Sequence, residues 1–186
     1  MTDSFEQLSR KTIVLHWLVG IGIIGLMATG IYMEENEVYA LYPLHKSIGV
    51  LIILPVLWRI VWRKKNGWPK PVRDYSNIEQ RLSKIVHWAL IIGTALMPIS
   101  GMMMSVAGGH GLDFFGLELV VRNADPANPQ EVIALNPTAA QIGHILHGLG
   151  GKIILAAIAL HLVGALKHHV FDKDRTLKRM LGSTAS

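Results

Sequence analysis

The sequence predicts an all-α membrane protein, a four-transmembrane-helix bundle with both termini cytoplasmic. Three observations carry that expectation. Four apolar stretches are each long enough to cross a hydrocarbon core; charge gathers in alternate connections; and histidines recur inside apolar segments, where an imidazole is costly unless it has a partner. With 186 residues, 51% of them hydrophobic and 17% charged, the chain is too apolar for an ordinary soluble domain and too short for several. One membrane domain spanning 1–186 follows.

The first stretch runs from about Ile13 to Ile31. It is expected to stay in the mature chain, because no small-residue cleavage site follows it and Tyr32, Glu34, Glu35 and Glu37 come next. The second covers about His45 to Trp62, the third about Ile85 to Met104 and the fourth about Ile142 to Val170. Runs of roughly 20 residues suit helices better than the alternating strands of about ten residues that build a barrel. Pro55 and Pro98 fall inside the second and third spans. There each frees a carbonyl and bends the axis, either as a packing kink or to shape a cofactor or quinone cleft. Between the spans, Lys64 to Ile78 reads as a tight polar turn with Pro69 and Pro71. The outer loop, about residues 105–138, is too rich in glycine and proline for a long helix, which leaves Phe114 to Val121 for a short turn of helix or strand on the membrane surface. The tail Gly182 to Ser186 is expected to be disordered.

Charge sets the orientation. Arg59, Arg63, Lys64, Lys65, Lys70, Arg73, Arg81 and Lys84 surround the second connection, and Lys167, Lys173, Arg175, Lys178 and Arg179 follow the fourth span. The first connection carries Glu34, Glu35 and Glu37, and the third carries Asp113, Glu118, Asp125 and Glu131 against Arg122. The positive-inside rule then places both termini and the second connection on the cytoplasmic side of the membrane. The net charge of +5 is thereby read as a topology signal facing anionic lipid, not as a nucleic-acid surface. Trp17, Trp58, Trp62, Trp68 and Trp88 at the basic end, and Tyr32, Tyr39 and Tyr42 at the other, are read as interfacial anchors.

Nine histidines and no cysteine bound the chemistry. Disulfides, iron–sulfur clusters and thioether-attached haem are excluded, so a metal must be held by His, Met, carboxylate or water. His147 and His161 lie fourteen residues apart in the fourth span, two heptads, hence on one helix face. That interval is about 21 Å of helix, most of a bilayer core of roughly 30 Å. By depth, His16 matches His161 at the basic end, and His45 matches His147 at the other. Two cross-helix pairs favour two bis-imidazole haem b sites, near opposite faces of the lipid, over zinc, which takes three or four ligands close together. Gly20, Gly49 and Gly151 each stand four residues after one of these histidines, and Gly164 three after His161, leaving room for a macrocycle or simply for helix packing. His87 and His168 are candidates for a quinone site at the cytoplasmic side, or else interfacial residues solvated by headgroups. His144 is an alternative outer ligand; His110 and His169 have no assigned partner. Met102, Met103 and Met104 cannot share one helix face, which favours lipid or core packing over soft-metal binding.

With these residues in view, the chain resembles the bacterial cytochrome b561 family of small four-helix dihaem proteins of the inner membrane. The resemblance rests on His16 with Trp17, HKSIG from His45, WRIVWR, His87 with Pro98 and Gly101, and ALHLVGALKHH leading to DKDRTLKRM. It implies axial ligands at His16, His45, His147 and His161 with the same pairing, as in the similar cytochrome subunits of formate dehydrogenases and nickel hydrogenases. It also implies electron transfer between ubiquinone or menaquinone and a periplasmic donor or acceptor. One branch is similar to superoxide oxidases, for which Lys46, Arg122 and Lys152 would attract the anion. Two other readings compete: a haem-bearing membrane anchor for a periplasmic redox partner, and a haem-free transporter, which would need polar residues continuous through the bundle.

Overall fold

A computed structural model describes residues 3 and 7–183. Four helical spans are long and apolar enough to cross a membrane: Arg10–Asn36, Tyr39–Asn66, Asn77–Ala107 and Pro137–Val170. Each is longer than its apolar window in the sequence, because polar caps carry the helices on into the interfaces. Helix α1 (Arg10–Asn36) starts at Ser9, whose hydroxyl accepts from the Thr12 amide, and closes at Glu37 in the left-handed conformation, φ 54°. The third span, α4 (Asn77–Ala107), begins with a reciprocal capping box between Ser76 and Glu79. The fourth, α5 (Pro137–Val170), starts with Asn136 capping Ala139 and Pro137 in the first turn. These side chains satisfy amides that a helix start otherwise leaves orphaned.

The second span is broken. After a short 3-10 turn (Tyr39–Leu41), α2 (Tyr42–Leu51) passes through Ile52 into α3 (Ile53–Asn66). Pro55 has no amide to give the Leu51 carbonyl, so the regular helix is interrupted one turn before the proline, while Ile48–Ile52 and Ile52–Val56 bonds keep the two halves in line. Pro98 leaves α4 continuous.

The four spans put both chain ends at one end of the bundle. There the Asp3 carboxylate pairs with Arg63 at 2.7 Å, the Trp17 indole donates to the Met180 carbonyl at 2.8 Å, the Trp62 indole donates to the Thr12 hydroxyl at 2.9 Å, and Lys167 bridges Glu79 and Asp172. Trp17 and Trp62 therefore tie chain segments together as well as lying near an interface. A short C-terminal helix, α6 (Thr176–Met180), closes this end, and its Arg179 donates to the Lys70 carbonyl. Of the tail expected to be disordered, 184–186 lie outside the described residues, whereas the Ser183 amide bonds back to Lys178.

At the other end the long connection forms an antiparallel hairpin, β1 (Leu112–Phe114) and β2 (Leu117–Val120), with Phe114 opposite Leu117. Strand is thus the outcome for the stretch that sequence left open between helix and strand. Its two-residue loop needs positive φ at both positions, met by Phe115 (50°) and Gly116 (88°). The Ser47 hydroxyl on α2 accepts from the Phe115 amide at 2.9 Å and fastens the hairpin to the bundle.

The core is small. Val19, Ile23, Ile52, Val56 and Ile154 meet between the helices, while Ile21, Leu54, Ile92, Val163 and similar residues face outward, as a lipid-facing surface requires. The closest helix pair is α4 with α5. A methyl on Gly93 would strike Ile154, and one on Gly143 would come 2.7 Å from the Met104 backbone nitrogen. Small residues let the two backbones approach. Gly143→Ala is expected to lower the thermal midpoint in detergent by a shift worth about 1–3 kcal/mol of overpacking. Gly25→Ala, whose methyl meets nothing within 4 Å, should leave it level or raise it.

Candidate functional site

Two histidine pairs face each other across the bundle. His16 on α1 and His161 on α5 have ring centroids 6.0 Å apart and planes at 53°; His45 on α2 and His147 on α5 have centroids 6.4 Å apart and planes at 79°. Two trans imidazoles on one metal, with bonds of about 2.0 Å, would have centroids roughly 6.4 Å apart. The separations of both pairs are close to that value, which fits a metal ion held between the two rings. The Val19, Ile23, Ile52, Val56 and Ile154 cluster occupies the depth between them.

The surroundings orient the rings. His147 Nδ1 lies 3.0 Å from the Met97 carbonyl, which can only accept, so this nitrogen carries the proton and Nε2 is left with a free lone pair. Ser100, whose hydroxyl also bonds the Met97 carbonyl, sits 3.3 Å from the same nitrogen. His45 Nδ1 lies 3.3 Å from the Thr29 hydroxyl, which is itself within bonding distance of the Gly25 and Leu26 carbonyls. With its hydrogen given to a carbonyl, Thr29 can accept from His45, again freeing Nε2. Such outer partners fix the tautomer and direction of metal-binding imidazoles.

Glycine makes the space. A Cβ at Gly20, Gly49 or Gly164 would meet nothing within 4 Å, so three of the glycines offset from the paired histidines border open volume; one at Gly151 would touch the end of Met97. Gly101 and Gly30 act differently: a Cβ there would lie 3.1 Å from the His147 ring and 3.5 Å from the His45 ring. Gly101 entered the sequence reading only as part of the family resemblance, and Gly30, Thr29, Met97 and Ser100 escaped it. Position by helix depth could have flagged Gly101 and Ser100, but a backbone carbonyl has no sequence signature.

The other histidines divide. His87 packs against His161 with centroids 5.2 Å apart and against Trp68 at 5.7 Å, and its Nδ1 lies 3.1 Å from the Ser83 hydroxyl. His168 is held elsewhere: its Nδ1 is 2.7 Å from Asp172 and 3.4 Å from Asp174, and its ring stacks near Tyr75 at 4.7 Å. The two residues grouped in the sequence as a quinone pair thus have separate surroundings. His110, His144 and His169 are exposed, whereas the other six histidines are partly buried.

The polar cluster around His168 is internally satisfied. Ligand atoms of His168, Asp172 and Asp174 come within 4.8 Å of one another, yet Tyr75 donates to Asp174 at 2.6 Å and Lys167 to Asp172 at 2.9 Å. Burial, then the bond to Asp174, pushes the Tyr75 hydroxyl up to about 12. Burial opposes ionisation of Asp174, but donation from Tyr75 and Thr176 outweighs it and holds the carboxyl below its ordinary value. The bond from Lys167 does the same for Asp172.

A membrane bundle that presents paired imidazoles near each end, with the rings of one pair oriented by outer partners, has the architecture of a haem-binding membrane cytochrome. The family model described as "Prokaryotic cytochrome b561" matches residues 7–183. The chain is 31% identical to "Cytochrome b561 homolog 2" of Escherichia coli K12, covering 100% of this chain and 96% of that protein. It is 27% identical to "Probable superoxide oxidase CybB" of Yersinia pestis, over 95% and 96%, and 23% identical to "Cytochrome b561 homolog 1" of Escherichia coli K12, over 95% and 97%. The chain belongs to the prokaryotic cytochrome b561 family, and so to haem-binding, multi-pass membrane proteins of electron transport.

A carboxylate whose folded pKa is depressed stabilises the fold above its unfolded pKa, and loses that contribution as pH falls through the folded value. The thermal midpoint of Asp174→Asn should therefore lie below wild type by a constant margin above about pH 4, the unfolded carboxylate value. The margin should shrink as the solution is made more acidic.

Proposed function

We propose that this chain is a dihaem cytochrome b of the bacterial inner membrane that links the quinone pool at the cytoplasmic side to a donor or acceptor on the periplasmic side. His16 with His161, and His45 with His147, would be the axial ligands. The observation that carries the reading is the separation of 6.0 and 6.4 Å between paired rings on different helices. Haem b, when bound by these histidines, would supply a one-electron ferric/ferrous couple.

The chain's own residues would do the rest. Met97 and Thr29 hold His147 and His45 in the tautomer that offers Nε2. The pairs lie near opposite membrane faces, because His147 and His161 are separated by about 21 Å of helix. The basic residues at the end shared by both termini orient that end to the cytoplasm. His87, against His161 and beside Trp68, is the better placed of the two candidates to meet a quinone headgroup near the inner pair. His168 supports the interface through its acidic neighbours. The diffusible partner would be ubiquinone or menaquinone.

A specific version makes superoxide the periplasmic donor. Lys46, near the outer end of α2, and Arg122, in the outer loop, are cations that would draw in a small anion. A relative bearing the name of a superoxide oxidase supports this choice.

The ligand assignment predicts two b-type haems in wild type, and loss of one in His45→Ala, His147→Ala, His16→Ala or His161→Ala. Pyridine haemochrome analysis checks this, and retention of both haems in any variant contradicts the pairing. In stopped-flow mixing, superoxide should reduce the wild-type haems at a rate that falls with added salt and falls further in Lys46→Glu; absence of reduction would eliminate superoxide as donor.

A further inference from the structure

Arg59 has no acidic partner among the described residues. It sits on α3 one helical turn before Arg63, and the two have opposite fortunes. Arg63 forms an ion pair with Asp3 at 2.7 Å and also reaches the Thr12 hydroxyl. Arg59 has no carboxylate partner among the described residues; its one polar contact is with His16, 3.5 Å from guanidinium Nη2 to imidazole Nδ1. The side chain is partly buried at the depth of His16 and His161, in an apolar bundle. A charge held there is costly unless an opposite charge meets it.

The contact with His16 cannot be its permanent partner if His16 binds iron. A neutral imidazole ligating through Nε2 carries its proton on Nδ1, and that nitrogen then becomes a donor facing another donor. The guanidinium must then turn to another acceptor, and no carboxylate of the described residues pairs with it. Small residues stand on the helices that carry His16 and His161: a Cβ at Gly20 or Gly164 would meet nothing within 4 Å. Arginine is suited to such a task because its fork binds a carboxylate through two parallel bonds and keeps its charge.

We infer that Arg59 is the counter-ion of a carboxylate borne by the haem at the His16–His161 site, a positioning residue that also sets the reduction potential of that haem. The inference rests on the two-haem reading above. Its physical basis is simple: a fixed positive charge beside the iron favours the ferrous state, which carries one less positive charge. A bound carboxylate left without its partner would favour the ferric state.

The test is a spectroelectrochemical titration of purified wild type, Arg59→Gln and Arg59→Lys, resolving the two haems, with haem content measured in parallel. The haem at His45–His147 is the internal control. Arg59→Gln should shift the ferrous/ferric equilibrium of the inner haem towards ferric by about tenfold or more, about 59 mV for a one-electron couple, with the outer haem unmoved. Arg59→Lys, which keeps the charge, should recover most of that shift. Identical potentials in wild type and Arg59→Gln overturn the inference, as does a shift in Arg59→Lys as large as in Arg59→Gln. Should Arg59→Gln retain no inner haem, the lysine variant decides: retention near the wild-type potential supports the inference and loss overturns it. If wild type itself carries fewer than two haems, it is the two-haem reading that fails.

Discussion

The structure depends on pairs of imidazoles meeting across the space between helices, at a separation one metal could bridge, in a medium that penalises every unpartnered polar group. Each pair joins α5 to a different helix: His161 to α1, His147 to α2. Apart from α4, the helices touch α5 only sparsely, because lipid removes the hydrophobic gain that would hold helices together in water. The close α4–α5 packing at Gly93 and Gly143 and the small central cluster of Val19, Ile23, Ile52, Val56 and Ile154 do the remaining work. A prosthetic group held between helices would therefore add to the stability of the bundle as well as give it chemistry, by binding the folded state alone.

From that constraint the rest follows in order of distance from the rings. Nearest are the groups that aim them: the Met97 carbonyl, Ser100 and Thr29. Next are the glycines, some opening volume and others, such as Gly101 and Gly30, admitting a ring to the face of a neighbouring helix. Farther out, polar contacts at the end bearing both termini lock the helix ends to one another. Asp3 with Arg63, Tyr75 with Asp174 and Lys167 with Glu79 join segments far apart in sequence.

Much of this was legible in the sequence, for definable reasons. Helix number follows from apolar length, and the histidine pairs follow from depth once the helices alternate in direction; the interval of two heptads between His147 and His161 puts both on one face. What could not be read depended on tertiary contact. His87 and His168 look alike as histidines near a basic interface, yet one rests on His161 and the other in an acidic pocket made by the 172–174 turn. The hairpin at 112–120 lacks the usual asparagine–glycine signal, since Phe115 takes the left-handed position, so strand and helix stayed indistinguishable there. Arg59 was hidden in a run of basic residues, and what sets it apart is the lack of an acidic partner among the described residues, against Arg63 paired with Asp3.

The central claim is that two irons are each held by two imidazoles within one bundle. Low-temperature electron paramagnetic resonance of the oxidised protein, calibrated against protein concentration, tests it most directly. The account predicts low-spin ferric signals from two bis-imidazole haems per chain. A high-spin signal at full haem loading, or a spin count corresponding to a single haem, would contradict it.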